Sequence, residues 1–349
     1  MLVEAAAAAP ILLVYAGGTF GMRDRGRGLE APVDLRSEMD DVLGHGDRSD
    51  EGGRAHPWIH ARAPFIGDSS QTGHGGGLEL ADLIRTASAD RHIGGVVVVH
   101  GTDTLAHVAA QTAFALADLA LPIAFTGSQA PLGTSGGDAE ENLRDAFAWS
   151  AGSSNSAAPN SGGAATVVVF GGRTLPAVRV TKRSSEEPDG FHAPLPLADP
   201  AVGIDDGLAL ALASSADRQA PRVGILTAAP GLPAALVEAA VAAFPDGVVL
   251  EGFGAGTFPL DEGRIPAAIR RAVDAGTPVV TTTRCSGGAV GLSRYAVGAE
   301  LGAAGALGGS DLTAEAAVGK LRALVRAGLT AEELARRFAE NLIGEQRTN

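Results

Sequence analysis

The stretch Val96–Leu119, VVVVHGTDTLAHVAAQTAFALADL, runs from four consecutive valines through a loop of His100, Gly101, Thr102, Asp103 and Thr104 into a segment carrying Leu105, Val108, Thr112, Leu116 and Leu119. The unbroken β-branched run predicts a strand covered on both faces, and the spacing of three or four predicts a helix over Thr104–Leu119 that covers one of them. Ile11–Tyr15 runs in the same way into AGGTFG, Ile123–Phe125 into TGSQAP, and Val167–Phe170 into GGRT. Repetition of this unit predicts parallel strands joined by helical crossovers. Loops that follow such strands gather at the carboxyl edge of the sheet, where open parallel sheets bind ligands.

Leu78–Ala89 and Glu140–Ser150 also have helical periodicity. Periodicity is lost over Glu186–Asp206, where Pro188, Pro194, Pro196 and Pro200 stand among acidic residues, and a helix is expected over Gly207–Ala216. A shorter α/β series follows: strands Val223–Leu226, Val248–Leu250 and Val279–Thr282, with helices Pro233–Ala243 and Ile265–Ala275 between them. Helices over Leu312–Ala327 and Thr330–Leu342 end the series, the latter with Thr330 and Glu333 spaced as a capping box. These shifts divide the chain into an N-terminal domain at 1–206, a linker region at 207–220 and a C-terminal domain at 221–349. Glu38–His60 and Gly152–Gly163 have no period and are expected to be irregular surface insertions, and Arg23–Arg27 a polar loop.

With 349 residues the chain has the length of two ordinary domains. Lys plus Arg number 27 against 40 Asp plus Glu, a net charge of −13, which disfavours a nucleic-acid partner. The single cysteine, Cys285, allows no internal disulfide and suits a reducing compartment. The opening MLVEAAAAAPILLVYAGG lacks a basic n-region, and no long apolar run follows elsewhere, so a soluble cytoplasmic protein without membrane segments is expected. Pro57 separates His56 from His60, no HExxH run exists, YAGGTFGMRD departs from GxGxxG, and no GxxxxGK[ST] run occurs, so neither metal nor cofactor is expected.

What remains is hydroxyl chemistry. Thr19, Thr102, Thr104 and Ser128 stand in loops at strand ends, Ser69 and Ser70 stand in DSSQ, and Thr181 and Lys182 follow the strand at Val167. A hydroxyl nucleophile needs a proton-accepting partner, which a lysine beside a carboxylate such as Asp103 supplies. Gly17 and Gly18 let backbone N–H groups approach a ligand closely. Each residue also has a plain reading: Thr19 as a helix cap, Thr102 or Asp103 as the cap of the following helix, Lys182 as a surface lysine beside Arg183.

Together these loops resemble the bacterial L-asparaginases, and in particular their cytoplasmic type I branch. AGGTFGM is similar to the first threonine signature and HGTDTLAH to the second, while TGSQAPL followed by Asp138, Asn142 and Leu143 is similar to the type I form. TTTRCSGGAV, GLSRYAVG, AGALGGSDLTAEAAVGKL and NLIGE follow in the same order, so the resemblance spans about residues 10–345. It implies an asparaginase-like α/β fold of two open, mainly parallel-sheet domains, the larger N-terminal one Rossmann-like and the smaller C-terminal one flavodoxin-like. It also implies hydrolysis of L-asparagine to L-aspartate and ammonia through a threonine acyl-enzyme, in a homodimer or homotetramer. Carried over by motif, Thr19 is the primary nucleophile, and Thr102, Asp103 and Lys182 form a set in which Lys182 deprotonates or orients Thr102. Asp103 receives the substrate α-ammonium and Ser69 its α-carboxylate, with Ser70 and Gly18 beside them.

Two positions depart from the family. Its loop tyrosine, in a Gly-Tyr pair ten residues after the first threonine, is replaced by Leu29 after Gly28. Some type I enzymes also have a second asparagine site built with an arginine and a cysteine; here Cys285 is kept and Glu251 stands in the arginine's place, so that site is not expected to survive. A glutamine-directed amidohydrolase, or a silent relative that binds a small amino acid, is the alternative.

Overall fold

The computed structural model describes residues 9–24, 26, 28–30, 35–43, 57–152, 166–198, 202–216 and 218–347. In chain order the elements are β1 (Ile11–Gly17), the short pair β2 (Arg23–Asp24) and β3 (Leu29–Glu30), α1 (Arg36–Leu43), β4 (Trp58–Gly67), α2 (Gly76–Asp90), β5 (Gly95–Val99) and α3 (Leu105–Ala115). Next come β6 (Ile123–Thr126), α4 (Ala139–Ser150), β7 (Thr166–Phe170), β8 (Arg173–Pro176), β9 (Thr181–Lys182) and β10 (Phe191–His192). The remainder is α5 (Asp206–Ala213), β11 (Val223–Thr227), α6 (Ala234–Ala243), β12 (Gly247–Gly252), α7 (Arg264–Asp274), β13 (Val279–Thr283), α8 (Ala296–Ala303), β14 (Leu307–Gly308), α9 (Ala314–Ala327) and α10 (Ala331–Ala339).

Two open sheets result, as the strand–loop–helix repeat predicts. The larger has the order β4-β1-β5-β6-β7-β8, parallel except for β8 on β7, and the smaller has the order β11-β12-β13-β14, all parallel. The larger sheet, expected to be Rossmann-like, instead has β4 outside β1, the flavodoxin type of doubly wound order, so its strand sequence reverses beside β1. The smaller sheet, expected to be flavodoxin-like, keeps chain order; helical crossovers of the same local pattern serve either order. Alternate residues of one strand enter different cores. Leu12, Val14, Val96 and Val98 pack with α2 and α3, while Ile11, Leu13, Tyr15, Val97 and Val99 pack with α1 and α4.

Several expectations need correction. Glu38–His60 is not wholly irregular: α1 runs to Leu43 and buries Met39, Val42 and Leu43, and β4 begins at Trp58. As an edge strand β4 is largely half-exposed and tolerates Arg62 and Pro64, so it lacks the continuous apolar run by which β5 was legible. Residues 44–56 lie outside the described residues, as does all of the Gly152–Gly163 segment except Gly152 itself. Arg23 and Asp24, expected in a polar loop, pair with Glu30 and Leu29 in an antiparallel ribbon, and Arg25 and Arg27 lie outside the described residues. The helix expected over Thr104–Leu119 begins at Leu105 and stops at Ala115, and that expected over Gly207–Ala216 ends at Ala213. The Thr330–Glu333 capping box is present.

Helix α9 joins the two sheets. Val223, Val249 and Val280 of the smaller sheet share a core with Ala316, Val318 and Leu321 of α9 and with Val108 and Ala109 of α3. The helices approach closely because of one glycine: a Cβ on Gly319 would lie 2.9 Å from Gln111 N and 3.0 Å from Ala110 C. Arg326 of α9 makes a bidentate ion pair with Asp82 of α2, at 3.0 and 2.6 Å. Lys320 and Glu345, both fully buried, pair at 2.6 Å, and Glu345 also accepts from the Leu342 and Ile343 amides. Overpacking a close helix contact costs about 1–3 kcal/mol, whereas Gly to Ala within a helix gains at most about 1 kcal/mol. Gly319→Ala is therefore expected to lower the urea midpoint of unfolding; a raised midpoint would show that the helices separate freely.

Candidate active site

Three loops meet at the carboxyl edge of β1, β4 and β5, beside the point where the strand order reverses. The first leaves β1 through Gly17 (φ +95°) and Gly18 (φ +83°), where an L side chain is strained. Space forbids one too: a Cβ on Gly17 would lie 2.4 Å from Gly67 N, and one on Gly18 2.2 Å from Gly101 Cα. The Gly18 amide donates to the Gly67 carbonyl at 2.9 Å, and Thr19 then opens a 3-10 turn anchored by the fully buried Phe20. Leu132, after β6, donates its amide to the Phe20 carbonyl at 2.8 Å.

The second loop leaves β4 into a 3-10 turn at Ser69–Gln71, whose Ser70 amide donates to Asp68 Oδ1 at 2.9 Å. Ser69 is buried and Ser70 exposed. Ser69 Oγ would lie 2.6 Å from a Cβ on Gly101, so the third loop, after β5, fits against both others only because its residue 101 is glycine.

In that third loop Thr102 is buried and Asp103 exposed. Lys182, reaching across from β9, donates to Thr102 Oγ1 at 2.9 Å and to Asp103 Oδ1 at 2.7 Å. Neither Thr102 nor Asp103 caps the helix. The N-cap of α3 is Thr104, and its hydroxyl donates instead to the Ser69 carbonyl at 2.9 Å, tying the second loop to the third. The surface reading of Lys182 is likewise displaced by its two partners.

Asp138 and Asn142 shape the loop after β6. The Asp138 carboxylate accepts from the amides of Gln129 and Ala130, and Asn142 donates to the Gly127 carbonyl at 3.0 Å and accepts from the Gly171 amide at 2.9 Å. Ser128, one of the candidate hydroxyls, is buried and donates to the Ala130 carbonyl, so it serves the loop. Sequence reasoning did not anticipate His100. It is buried, its Nδ1 donates to the Gly101 carbonyl at 2.9 Å, and burial holds its pKa below the ordinary histidine value. Its signal was its place between the Val96–Val99 run and Gly101.

Of the two tyrosines, Tyr15 is buried among Phe20, Leu35 and Met39, with burial pushing its phenol upward, and Tyr295 is half exposed beside α8. The backbone of Leu29 pairs with Asp24. Among the described residues no group of three or more His, Cys, Asp or Glu side chains could hold a metal ion, and no helix is long and apolar enough to cross a membrane. Glu251 and Cys285 do share the wall of a cavity of about 130 Å³, next to Thr181 and Glu315; Glu251 accepts from the Thr227 hydroxyl at 2.8 Å.

Residues 10–203 match the family described as asparaginase, N-terminal, and residues 222–338 the glutaminase/asparaginase C-terminal domain. The chain belongs to the asparaginase family. It is 28% identical to L-asparaginase 1 of Escherichia coli K12 over 96% of this chain and 97% of that one. It is 30% identical to the 60 kDa lysophospholipase of Mus musculus, over 96% of this chain but 62% of that protein. The thermostable L-asparaginase of Thermococcus kodakarensis has the same fold, with a TM-score of 0.78 over 97% of this chain and 99% of that chain at 24% identity.

Two histidines beside the third loop give its stability a pH dependence. Burial lowers the pKa of His100, and burial also lowers that of His107 on α3 despite the opposing charges of Glu315 and Glu251. The unfolded chain takes up protons near pH 6.5 that the folded chain refuses, so this contribution is full above about pH 6.5 and declines below it. His100→Asn keeps a donor toward Gly101 and removes one titration. The fall in urea midpoint between pH 7.5 and 5.5 is expected to be smaller in that variant than in the wild type; an equal fall would remove His100 from the account.

Proposed function

We propose that this enzyme hydrolyses L-asparagine to L-aspartate and ammonia through an acyl-enzyme on Thr19. The observation that carries this reading is the Lys182 ammonium donating to both Thr102 and Asp103 on the loop packed against Gly18, the residue before Thr19. In the first step Thr19 Oγ bonds to the side-chain amide carbon, the hydroxyl proton it gives up passes to the amide nitrogen, the C–N bond breaks, and ammonia leaves. Water then takes the place of Thr19 Oγ and releases aspartate. Lys182, donating to Thr102 Oγ1, orients that hydroxyl, and backbone amides near Thr102 face the developing oxyanion. Asp103 Oδ1 is held by Lys182, and the exposed carboxylate is open to the substrate α-ammonium. Ser69, Ser70 and Gly18 border the space for its α-carboxylate.

We further assign the chain to the type I branch, working in the cytoplasm as a homodimer or homotetramer without metal or cofactor. The Asp138–Asn142 support of TGSQAPL and the near full-length similarity to an L-asparaginase 1 favour that branch. We retain the division into 1–206, 207–220 and 221–349.

Thr19→Ala is expected to abolish ammonia release with unchanged circular dichroism; retained activity would move the nucleophile to Thr102. Lys182→Met and Asp103→Ala are each expected to lower kcat/KM by at least about tenfold. Assays with L-Asn, L-Gln and D-Asn test the substrate. Absence of ammonia release together with calorimetric binding of L-asparagine would instead favour a silent binder.

Leu29 has no proton to exchange, so the reaction is expected to be slow, and Leu29→Tyr is expected to raise kcat/KM. A neutral effect would show that this loop position does not face the substrate.

A further inference from the structure

We propose that Glu315, on the first turn of α9, is a positioning residue for Lys182. This rests on the role given to Lys182 above and extends it to a residue remote in sequence.

Lys182 sits on β9, a two-residue strand whose antiparallel partner β10 is also two residues long, pairing Lys182 with Phe191 and Thr181 with His192. A ribbon this short does not hold its own geometry. Its β10 side is anchored by Phe191, buried edge-on against Phe170 at 5.0 Å. The approach to β9 is anchored by Arg179, buried and donating to the Asp311 carbonyl at 3.0 Å and the Gly344 carbonyl at 3.2 Å. On β9 itself the Thr181 hydroxyl donates to Glu315 Oε1 at 2.7 Å.

Neighbouring residues of a strand point to opposite faces. Fixing Thr181 toward α9 therefore turns Lys182 to the other face, where Thr102 and Asp103 receive it. Glu315 is itself well placed as an anchor. Its helix is capped by Thr313, whose hydroxyl accepts from the Ala316 amide at 3.1 Å, and a carboxylate in the first turn suits the helix dipole. One turn further on, Gly319 sets α9 against α3, the helix that begins directly after Thr102, Asp103 and Thr104. The lysine and its two partners are thus referenced to the same pair of helices.

The test uses the full chain with Glu315→Ala, Glu315→Gln, Thr181→Val, the Glu315→Ala/Thr181→Val double variant and Lys182→Met. It reads kcat and KM for L-asparagine, and separately the trace acetylation of Lys182 by acetic anhydride, followed by mass spectrometry, which needs no turnover. Glu315→Ala and Thr181→Val are each expected to lower kcat by at least about tenfold with KM within about twofold, and to change Lys182 acetylation by at least about threefold. The double variant should be no worse than either single one, because both remove one hydrogen bond. Glu315→Gln keeps an acceptor oxygen and should stay within about threefold of wild type. Wild-type kcat and acetylation in Glu315→Ala would overturn the proposal, as would a Glu315→Gln defect equal to that of Glu315→Ala. Should Glu315→Ala fail to fold, Thr181→Val decides alone. Wild-type kcat in Lys182→Met would instead overturn the catalytic role of the lysine, while acetylation in the other variants still reads whether Glu315 holds it.

Discussion

Helices α9 and α3 meet at Gly319, where a Cβ would lie 2.9 Å from Gln111 N, and this close approach joins the two sheets. An α/β unit of four short strands has two faces to cover, and the smaller sheet covers one of them with α9. Because α9 also lies on α3, which covers the larger sheet, the two sheets share a continuous core. The absence of a side chain at position 319 lets the backbones meet, and the buried Lys320–Glu345 pair and the part-buried Arg326–Asp82 pair hold the register of α9 along that contact. Removing one partner of such a pair would leave a buried charge uncompensated, which costs far more than the pair itself contributes.

The geometry of the site follows from a second constraint of the same kind. Three chain segments converge at Gly17–Gly18, Gly67–Ser69 and Gly101, and a Cβ on Gly17, Gly18 or Gly101 would lie 2.6 Å or less from a neighbouring segment. Backbone approach of this closeness brings hydroxyls from separate strands onto one edge without spending long side chains to reach across. Hydrogen bonds then lock the loops together: Thr104 to the Ser69 carbonyl, Gly18 to Gly67, Leu132 to Phe20. Lys182 is a long side chain that does cross, and it arrives from a ribbon with little structure of its own.

Where the chain writes its structure as a continuous apolar run, the sequence is direct. Val96–Val99 and Val167–Phe170 are strands covered on both faces, and the motif loops fall at their ends. Where an element is half exposed, the same reading fails. Strand β4 carries Arg62 and Pro64 at an edge, and α1 presents three apolar residues in a polar segment, so neither shows a clean period. The capping role expected of Thr102 or Asp103 fails for a different reason. Both side chains had a choice of partner, and the lysine that claims them is eighty residues away in the chain.

The α/β class, the hydroxyl loops at the strand ends, and the candidates Thr19, Ser69, Thr102, Asp103 and Lys182 were readable along the chain, because buried parallel strands and glycine-rich turns are local and periodic. That Thr104 serves the second loop, that Asp138 and Asn142 hold the loop after β6, and that Thr181 faces Glu315 across the boundary between the two sheets came from the folded arrangement alone. A hydroxyl or carboxylate can satisfy several partners equally well in an extended chain. Which one it meets is fixed by backbones brought together from distant parts of the sequence, and no local pattern records that meeting.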